Sequence, residues 1–109
     1  AGQFPLWLTP EQVRLLPVSE KFNEYAKSVA TELKNYDIRA SVDESNEKVG
    51  KKIREAELAR VPYMLIIGEQ EQQAGTVSAR KKGTGDVGVL SIAEFATQVQ
   101  NEIKEMLSA

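Results

Sequence analysis

Hydrophobic and polar residues alternate along this chain in patterns that predict a mixture of strands and helices. The run 63–67 is apolar throughout and is bounded by Pro62 and Gly68, which is typical of a strand covered on both faces at the parallel centre of a sheet. Other stretches alternate with a period of two or form short apolar runs. The predicted strands are 13–18, 38–42, 63–67, 76–80 and 87–90.

Three longer stretches carry apolar residues at helical spacing. The first helix follows Ser19, the second follows Asn46 and runs for about 13 residues, and the third opens with the capping box Ser91–Glu94. Their predicted inward faces are Phe22, Tyr25, Ala26, Val29, Ala30 and Leu33; Val49, Ile53 and Ala56; and Ile92, Phe95, Ala96, Val99, Ile103 with Met106 or Leu107.

The order β-α-β-α-β-β-β-α predicts an α/β fold in three layers. A mixed five-stranded sheet would be flanked by three helices, with parallel pairing in the first part and an antiparallel hairpin near the end. The segment 83–88 matches the dinucleotide-binding pattern G-x-G-x-x-G. That pattern must join a strand to a helix, whereas these glycines lie between two late strands, so we interpret them as turn residues.

Length and composition indicate one globular domain spanning residues 1–109. Hydrophobic residues make up 41% and charged residues 28%, and no apolar run approaches the roughly 20 residues that cross a bilayer. No secretory leader is recognised, and we expect a cytoplasmic protein that does not bind membranes. Cysteine and histidine are absent, which excludes disulfides, thiolate chemistry and the usual zinc or histidine-based catalytic sites. The first residue is alanine, so we expect a piece excised from a longer chain.

The net charge of -2 conceals a local basic surface. Segments 48–60 and 76–85 hold eight of the 14 basic residues and only two of the 16 acids. Such a surface on an acidic body can bind phosphates. A solvated charged helix face remains the alternative.

Three polar residues are of types that could contact a base. Asn46 could present an amide at a helix start, although asparagine is also a favoured N-cap. Glu71 could accept hydrogen bonds from a base or be a solvated loop carboxylate, and Arg80 could be a reader or part of a solvated hairpin tip. No carboxylate is placed by pattern near a nucleophile or phosphate loop, so catalysis has little support.

Three motifs together resemble the C-terminal anticodon-binding domain of class II aminoacyl-tRNA synthetases, most closely that of the threonyl enzymes. They cover almost the whole chain and are specific in combination. They are Gly2-x-Phe4-Pro5-x-Trp7-Leu8-x-Pro10-x-Gln12-Val13, then Asn46-Glu47-Lys48-x-Gly50-x-Lys52-Ile53-Arg54-Glu55, and Arg60-Val61-Pro62-Tyr63-Met64-Leu65 continuing to Gly68-x-x-Glu71-x-x-x-Gly75-x-Val77-x-x-Arg80.

The resemblance implies that Asn46, Glu71 and Arg80 read the anticodon of tRNA-Thr, whose second and third bases are guanine and uracil. Lys48, Lys51 and Arg54 are candidate contacts to the RNA backbone. It also implies no cofactor and no catalytic centre in this domain. ATP, Mg and Zn would serve other domains of a parent threonine–tRNA ligase, residues 1–11 would lead in from its catalytic domain, and the isolated domain would be monomeric.

The sequence departs from the family at two places. Asp37 stands where a glycine commonly ends the first helix, and Glu44-Ser45 replaces a more basic lead-in to Asn46. Two other functions stay open: a free-standing interaction module that reuses the fold for a protein partner, and a small flavodoxin-like enzyme or ligand binder.

Overall fold

A computed structural model of the chain describes Leu6 and residues 9–108, with side chains described up to residue 105. The motif residues Phe4 and Trp7, and the side chains of Met106 and Leu107, lie outside the described residues.

The described residues form one mixed sheet with helices on both faces. The strands are β1 (Val13–Pro17), β2 (Ala40–Val42), β3 (Tyr63–Ile67), β4 (Thr76–Lys81) and β5 (Gly85–Ser91). The helices are α1 (Asn23–Lys34), α2 (Val49–Leu58), α3 (Glu69–Ala74) and α4 (Ile92–Ser108), with a 3-10 turn at Glu20–Phe22 before α1. The strand order is β2-β1-β3-β4-β5, parallel among the first three and antiparallel thereafter, which confirms the predicted α/β class and five-stranded mixed sheet.

The core lies in two layers because successive residues of β1 and β3 point to opposite faces of the sheet. Leu15 and Leu65 belong to the larger core, which α1 and α4 cover. Leu16 and Met64 belong to a smaller core, which they share with Ile53, Ala56 and Val61. The predicted apolar faces of α1 and α4 are confirmed, since Ala26, Val29, Leu33, Phe95, Ala96 and Val99 are fully buried.

The hairpin between β4 and β5 contains a register irregularity. Ala79 lies opposite Gly88 and Arg80 opposite Asp86, so Val87 is an extra residue on β5. Gly88 has φ 112°, a left-handed conformation that glycine adopts without strain. The glycines of the G-x-G-x-x-G pattern therefore shape a hairpin and a bulge, as predicted.

The prediction of three helices was wrong, because the described residues contain four. Helix α3 was not predicted, and Glu71 lies on it rather than in a loop. Its six residues include no buried side chain, so no apolar periodicity marks it. The signal that could have located it is Gly68-x-x-Glu71, in which the Glu71 side chain caps the helix, followed by Gly75 in the left-handed conformation that often ends helices.

The predicted starts of two helices also need correction. Asn46 does not cap α2, which begins at Val49 with Lys48 at the N-cap position and no side-chain capping bond. Ser19 caps the 3-10 turn, where its Oγ accepts from the Lys21 N–H at 3.3 Å, and α1 starts at Asn23. Asp37 has φ 61°, so this position, where the resemblance led us to expect glycine, does adopt a left-handed backbone.

Candidate nucleic-acid interface

The outer strands leave part of one sheet face uncovered. On the face shared with α2, Ile66, Ser78 and Val89 form one row across β3, β4 and β5. Ile66 and Ser78 are partly exposed, and Val89 is 63% exposed. Helix α2 lies on this same face but packs over β1, towards the β2 edge of the sheet. The row on β3, β4 and β5 and the residues beside it can therefore receive a ligand.

Arg80 lies in the next row of the same uncovered face. It pairs in register with Met64 on one side and Asp86 on the other. Its Nε is buried and has no hydrogen-bond partner among the described residues. The nearby Asp86 carboxylate accepts from the Gly88 N–H at 2.9 Å, and no ion pair joins Asp86 to Arg80 within the described part of the chain. A buried, unpaired guanidinium N–H is costly, and a ligand acceptor would satisfy it.

Glu71 lies at what we call the carboxyl edge of the sheet, the edge at which the parallel strands β1, β2 and β3 end. Its Oε1 accepts from the Gly68 N–H at 2.7 Å, which caps α3 and holds the half-buried side chain close to the end of β3. Burial raises the pKa of the Tyr25 hydroxyl, and the charges of Glu32 and Glu71 raise it further. One carboxylate oxygen thus has a structural partner, while the other has none among the described residues.

Asn46 is exposed in the connection between β2 and α2. This connection and the one from β3 to α3 leave the same edge, because β1, β2 and β3 are parallel. Only β1 separates β2 from β3, so Asn46 and Glu71 follow strands that lie about 10 Å apart.

The structure places Asn46 and Glu71 at the carboxyl edge of the sheet and Arg80 on the adjoining face. No direct contact among the three occurs in the described residues. Extending the β3–β4 register sets Thr76 opposite Gly68, at the carboxyl edge. Arg80 lies four residues further along β4, about 13 Å from Thr76. The expected convergence of Glu71 and Arg80 on two neighbouring bases stays a prediction.

The predicted backbone contacts Lys48, Lys51 and Arg54 are all exposed at or near the start of α2. Lys51 forms an exposed ion pair with Glu47 at 3.2 Å, which is worth little in water and leaves the ammonium accessible. These cations stand beside the Asn46 connection, where they can contact phosphates.

Lys52, by contrast, contributes nothing to the basic surface. Its side chain is 1% exposed, and its Nζ donates to the Pro17 carbonyl at 2.8 Å and to the Asp43 carbonyl at 3.1 Å. Sequence reasoning counted it with the exposed lysines. The available signal was its place in α2 one residue before Ile53, next to the apolar face.

Asp43 begins the segment that carries Asn46, and hydrogen bonds fix it. Its Oδ1 accepts from the Ser45 N–H at 3.0 Å, and its own N–H donates to the Leu15 carbonyl at 3.0 Å. Burial raises the pKa of the Asp43 carboxyl, but hydrogen bonds from Ser45 and the nearby charges of Lys52 and Arg14 outweigh burial, so the pKa is lowered.

Within the described residues, no group of three or more His, Cys, Asp or Glu side chains could hold a metal ion. In the same part of the chain, no helix combines the length and apolar character that crossing a bilayer requires.

A family model described as "Anticodon binding domain" matches residues 12–102, which is most of the chain. The chain belongs to the anticodon-binding domain family. The match includes all the elements that form the uncovered face and the carboxyl edge. The resemblance found in the sequence motifs is therefore confirmed.

Relatives that match nearly the whole chain include several threonine–tRNA ligases. That of Porphyromonas gingivalis is 59% identical over 109 residues, all of this chain and 17% of the relative. That of Caldanaerobacter subterraneus subsp. tengcongensis is 50% identical over 103 residues, 94% of this chain and 16% of the relative. The chain thus spans about one sixth of the length of these relatives, 17% and 16% respectively.

A solved structure has the same fold. The crystal structure of the RNA binding domain of threonyl-tRNA synthetase from Cryptosporidium parvum Iowa II matches with a TM-score of 0.87 and 37% sequence identity. The match covers 93% of this chain and 26% of that chain. Fold and family therefore agree with each other.

Proposed function

We propose that this chain is the anticodon-binding domain of a threonine–tRNA ligase and binds the anticodon loop of tRNA-Thr. The observation that carries the proposal is the uncovered sheet face, on which the Arg80 Nε is buried without a partner among the described residues. In a member of this family, an unsatisfied donor on the sheet face and the exposed cations of α2 together support binding of single-stranded RNA.

Base recognition would divide between the edge and the face. A carboxylate such as Glu71 can accept two hydrogen bonds from the Watson–Crick edge of guanine, the second anticodon base, and no other base offers that donor pair. Uracil presents carbonyl oxygens, which suit the guanidinium fork of Arg80 at the third base. Asn46 would contribute an amide, and Lys48, Lys51 and Arg54 would contact the backbone.

Catalysis would belong to the parent ligase. This domain would hold the tRNA while a catalytic domain of the same chain, which uses ATP, Mg and Zn, joins threonine to the 3′ end. We expect such a parent to act in the cytoplasm and the isolated domain to be monomeric.

Titration with anticodon stem-loops tests the proposal. The first loop carries the threonine anticodon, and matched loops replace only the central guanine or only the neighbouring uracil. Each lost bidentate contact should weaken binding by roughly 5- to 150-fold, corresponding to about 1–3 kcal/mol. Binding should also weaken as salt rises, because phosphate contacts release counterions. Equal affinity for all the loops would contradict the proposal.

A further inference from the structure

Lys52 is a buried cation in an unfavourable place. Its ammonium is removed from water, since the side chain is 1% exposed, and desolvating a charge is expensive. It also lies in the first turn of α2, where the helix dipole disfavours positive charge. A methionine of similar length would fill the same space at neither cost. The ammonium must therefore do something that an apolar side chain cannot.

The ammonium joins two segments that leave the carboxyl edge of the sheet. It donates to the carbonyl of Pro17, the last residue of β1, and to the carbonyl of Asp43, the first residue after β2. We name Lys52 Nζ and these two carbonyls the edge clamp. Because α2 carries Lys52, the clamp fixes the helix, the end of β1 and the β2–α2 connection relative to one another.

The edge clamp is continuous with both predicted readers at this edge. On one side, Asp43 holds the Ser45 N–H at 3.0 Å, and Asn46 is the next residue. On the other side, Pro17 is followed by Val18, whose N–H donates to the Ile67 carbonyl at 2.9 Å. Ile67 precedes Gly68, the residue whose N–H binds the Glu71 carboxylate.

We propose that Lys52 is a positioning residue for RNA recognition: the edge clamp sets the distance between Asn46 and Glu71 without touching RNA. The inference rests on the proposed function. It assigns a role to a residue whose burial prevents any direct contact with a phosphate or base.

The first experiment replaces Lys52 by methionine in this chain and measures stem-loop binding and base preference. The matched control is Val99→Ala, which removes buried atoms from the α4 layer, remote from the carboxyl edge. Lys52→Met should weaken binding of the threonine loop about tenfold and reduce the preference for the central guanine. Val99→Ala should lower the melting temperature and leave both binding properties unchanged.

Double-mutant cycles separate positioning from general destabilisation. Lys52→Met should be non-additive with Asn46→Ala and with Glu71→Gln, because all three act on one arrangement. Lys52→Met should be additive with Arg80→Lys, because Arg80 lies on β4, far from the edge clamp at the ends of β1 and β2. Additivity in all the pairs would overturn the proposal, as would unchanged affinity and base preference in Lys52→Met.

Chemical rescue supplies a second variant. The chain has no cysteine, so Lys52→Cys can be aminoethylated at that one position under denaturing conditions and refolded. The product restores an ammonium on a side chain of nearly the same length as lysine. Tight, guanine-selective binding should return with the modification and be absent without it. If neither Lys52→Met nor the modified cysteine variant folds, Lys52 acts in folding alone and the proposal fails.

Hydrogen exchange distinguishes failure of this inference from failure of the proposed function. In Lys52→Met, the amides of Ser45 and Gly68 should exchange faster, whereas amides within α4 should not change. If the unsubstituted chain shows no guanine preference, the proposed function fails, and the exchange result still decides whether the edge clamp holds these segments. Unchanged exchange at both amides would refute the clamp itself.

Discussion

Glu71 offers the sharpest test of base reading, because its carboxylate already has a structural partner. Oε1 accepts from the Gly68 N–H at 2.7 Å, so a loss of RNA binding on removing the side chain could reflect either a damaged helix start or a lost base contact. Two substitutions separate these effects. Glu71→Gln keeps one oxygen for the Gly68 N–H and replaces the other oxygen by an NH₂ group, whereas Glu71→Ala removes both.

The magnitudes differ enough to be measured. Losing the capping bond in Glu71→Ala should cost about 1 kcal/mol of unfolding free energy. Glu71→Gln should cost a small fraction of that. The base contact is worth about 1–3 kcal/mol of discrimination, so Glu71→Gln should lose roughly tenfold or more of the preference for a central guanine.

Denaturant unfolding and fluorescence anisotropy with labelled stem-loops measure the two effects. Glu69→Gln is the matched control, because Glu69 is an exposed glutamate at the start of the same short helix. Its effects on base preference should be negligible. An unchanged guanine preference in Glu71→Gln would remove Glu71 from the reading role and leave it as a helix cap.

Three further outcomes are expected. Ser91→Ala should lower the melting temperature by roughly 5 °C in thermal unfolding, because Ser91 Oγ accepts from the Glu94 N–H at 3.0 Å and a lost N-cap costs about 1 kcal/mol. Burial, and a hydrogen bond to Glu102 at 2.6 Å, raise the pKa of Tyr63. The folded state therefore resists ionisation, and its unfolding free energy should fall as the pH rises above about 10, the ordinary tyrosine pKa. Tyr63→Phe should show less of this alkaline loss in denaturant midpoints measured from pH 9 to 11 (a range chosen around that ordinary pKa); an identical loss would contradict the assignment. Asp37→Gly should raise the free energy of unfolding slightly, by about 0.5 kcal/mol, because Asp37 has φ 61°; a clear decrease would show that its side chain is needed.

The elements that the sequence predicted correctly are those whose local chemistry and periodicity agree. The capping box at Ser91 and Glu94 forms both of its hydrogen bonds, at 2.9 and 3.0 Å. The apolar run 63–67 lies between β1 and β4 and is buried except at Ile66, which is partly exposed on the uncovered face. The family motifs extended the prediction to the anticodon-binding domain family, and the family match confirms that membership.

The features that the sequence missed either depend on contacts between distant segments or lack an apolar periodicity. Lysine is normally exposed, and nothing local to Lys52 indicates that Pro17, 35 residues away, supplies a carbonyl. Asn46 was assigned as a cap because its residue type fits, but α2 starts three residues later, where the chain first turns over the sheet. Helix α3 is short, and five of its six residues are polar, so only its ends carry a signal.

The bulge on β5 has a consequence for the solubility of the molecule. This strand is seven residues long and lies at the margin of the sheet, where unpaired backbone groups could recruit a strand from another molecule. The extra residue Val87 and the left-handed Gly88 interrupt that row of donors and acceptors and twist it. The opposite margin, β2, is only three residues long. Both edges therefore make poor templates for edge-to-edge aggregation, even though part of one sheet face stays open to solvent.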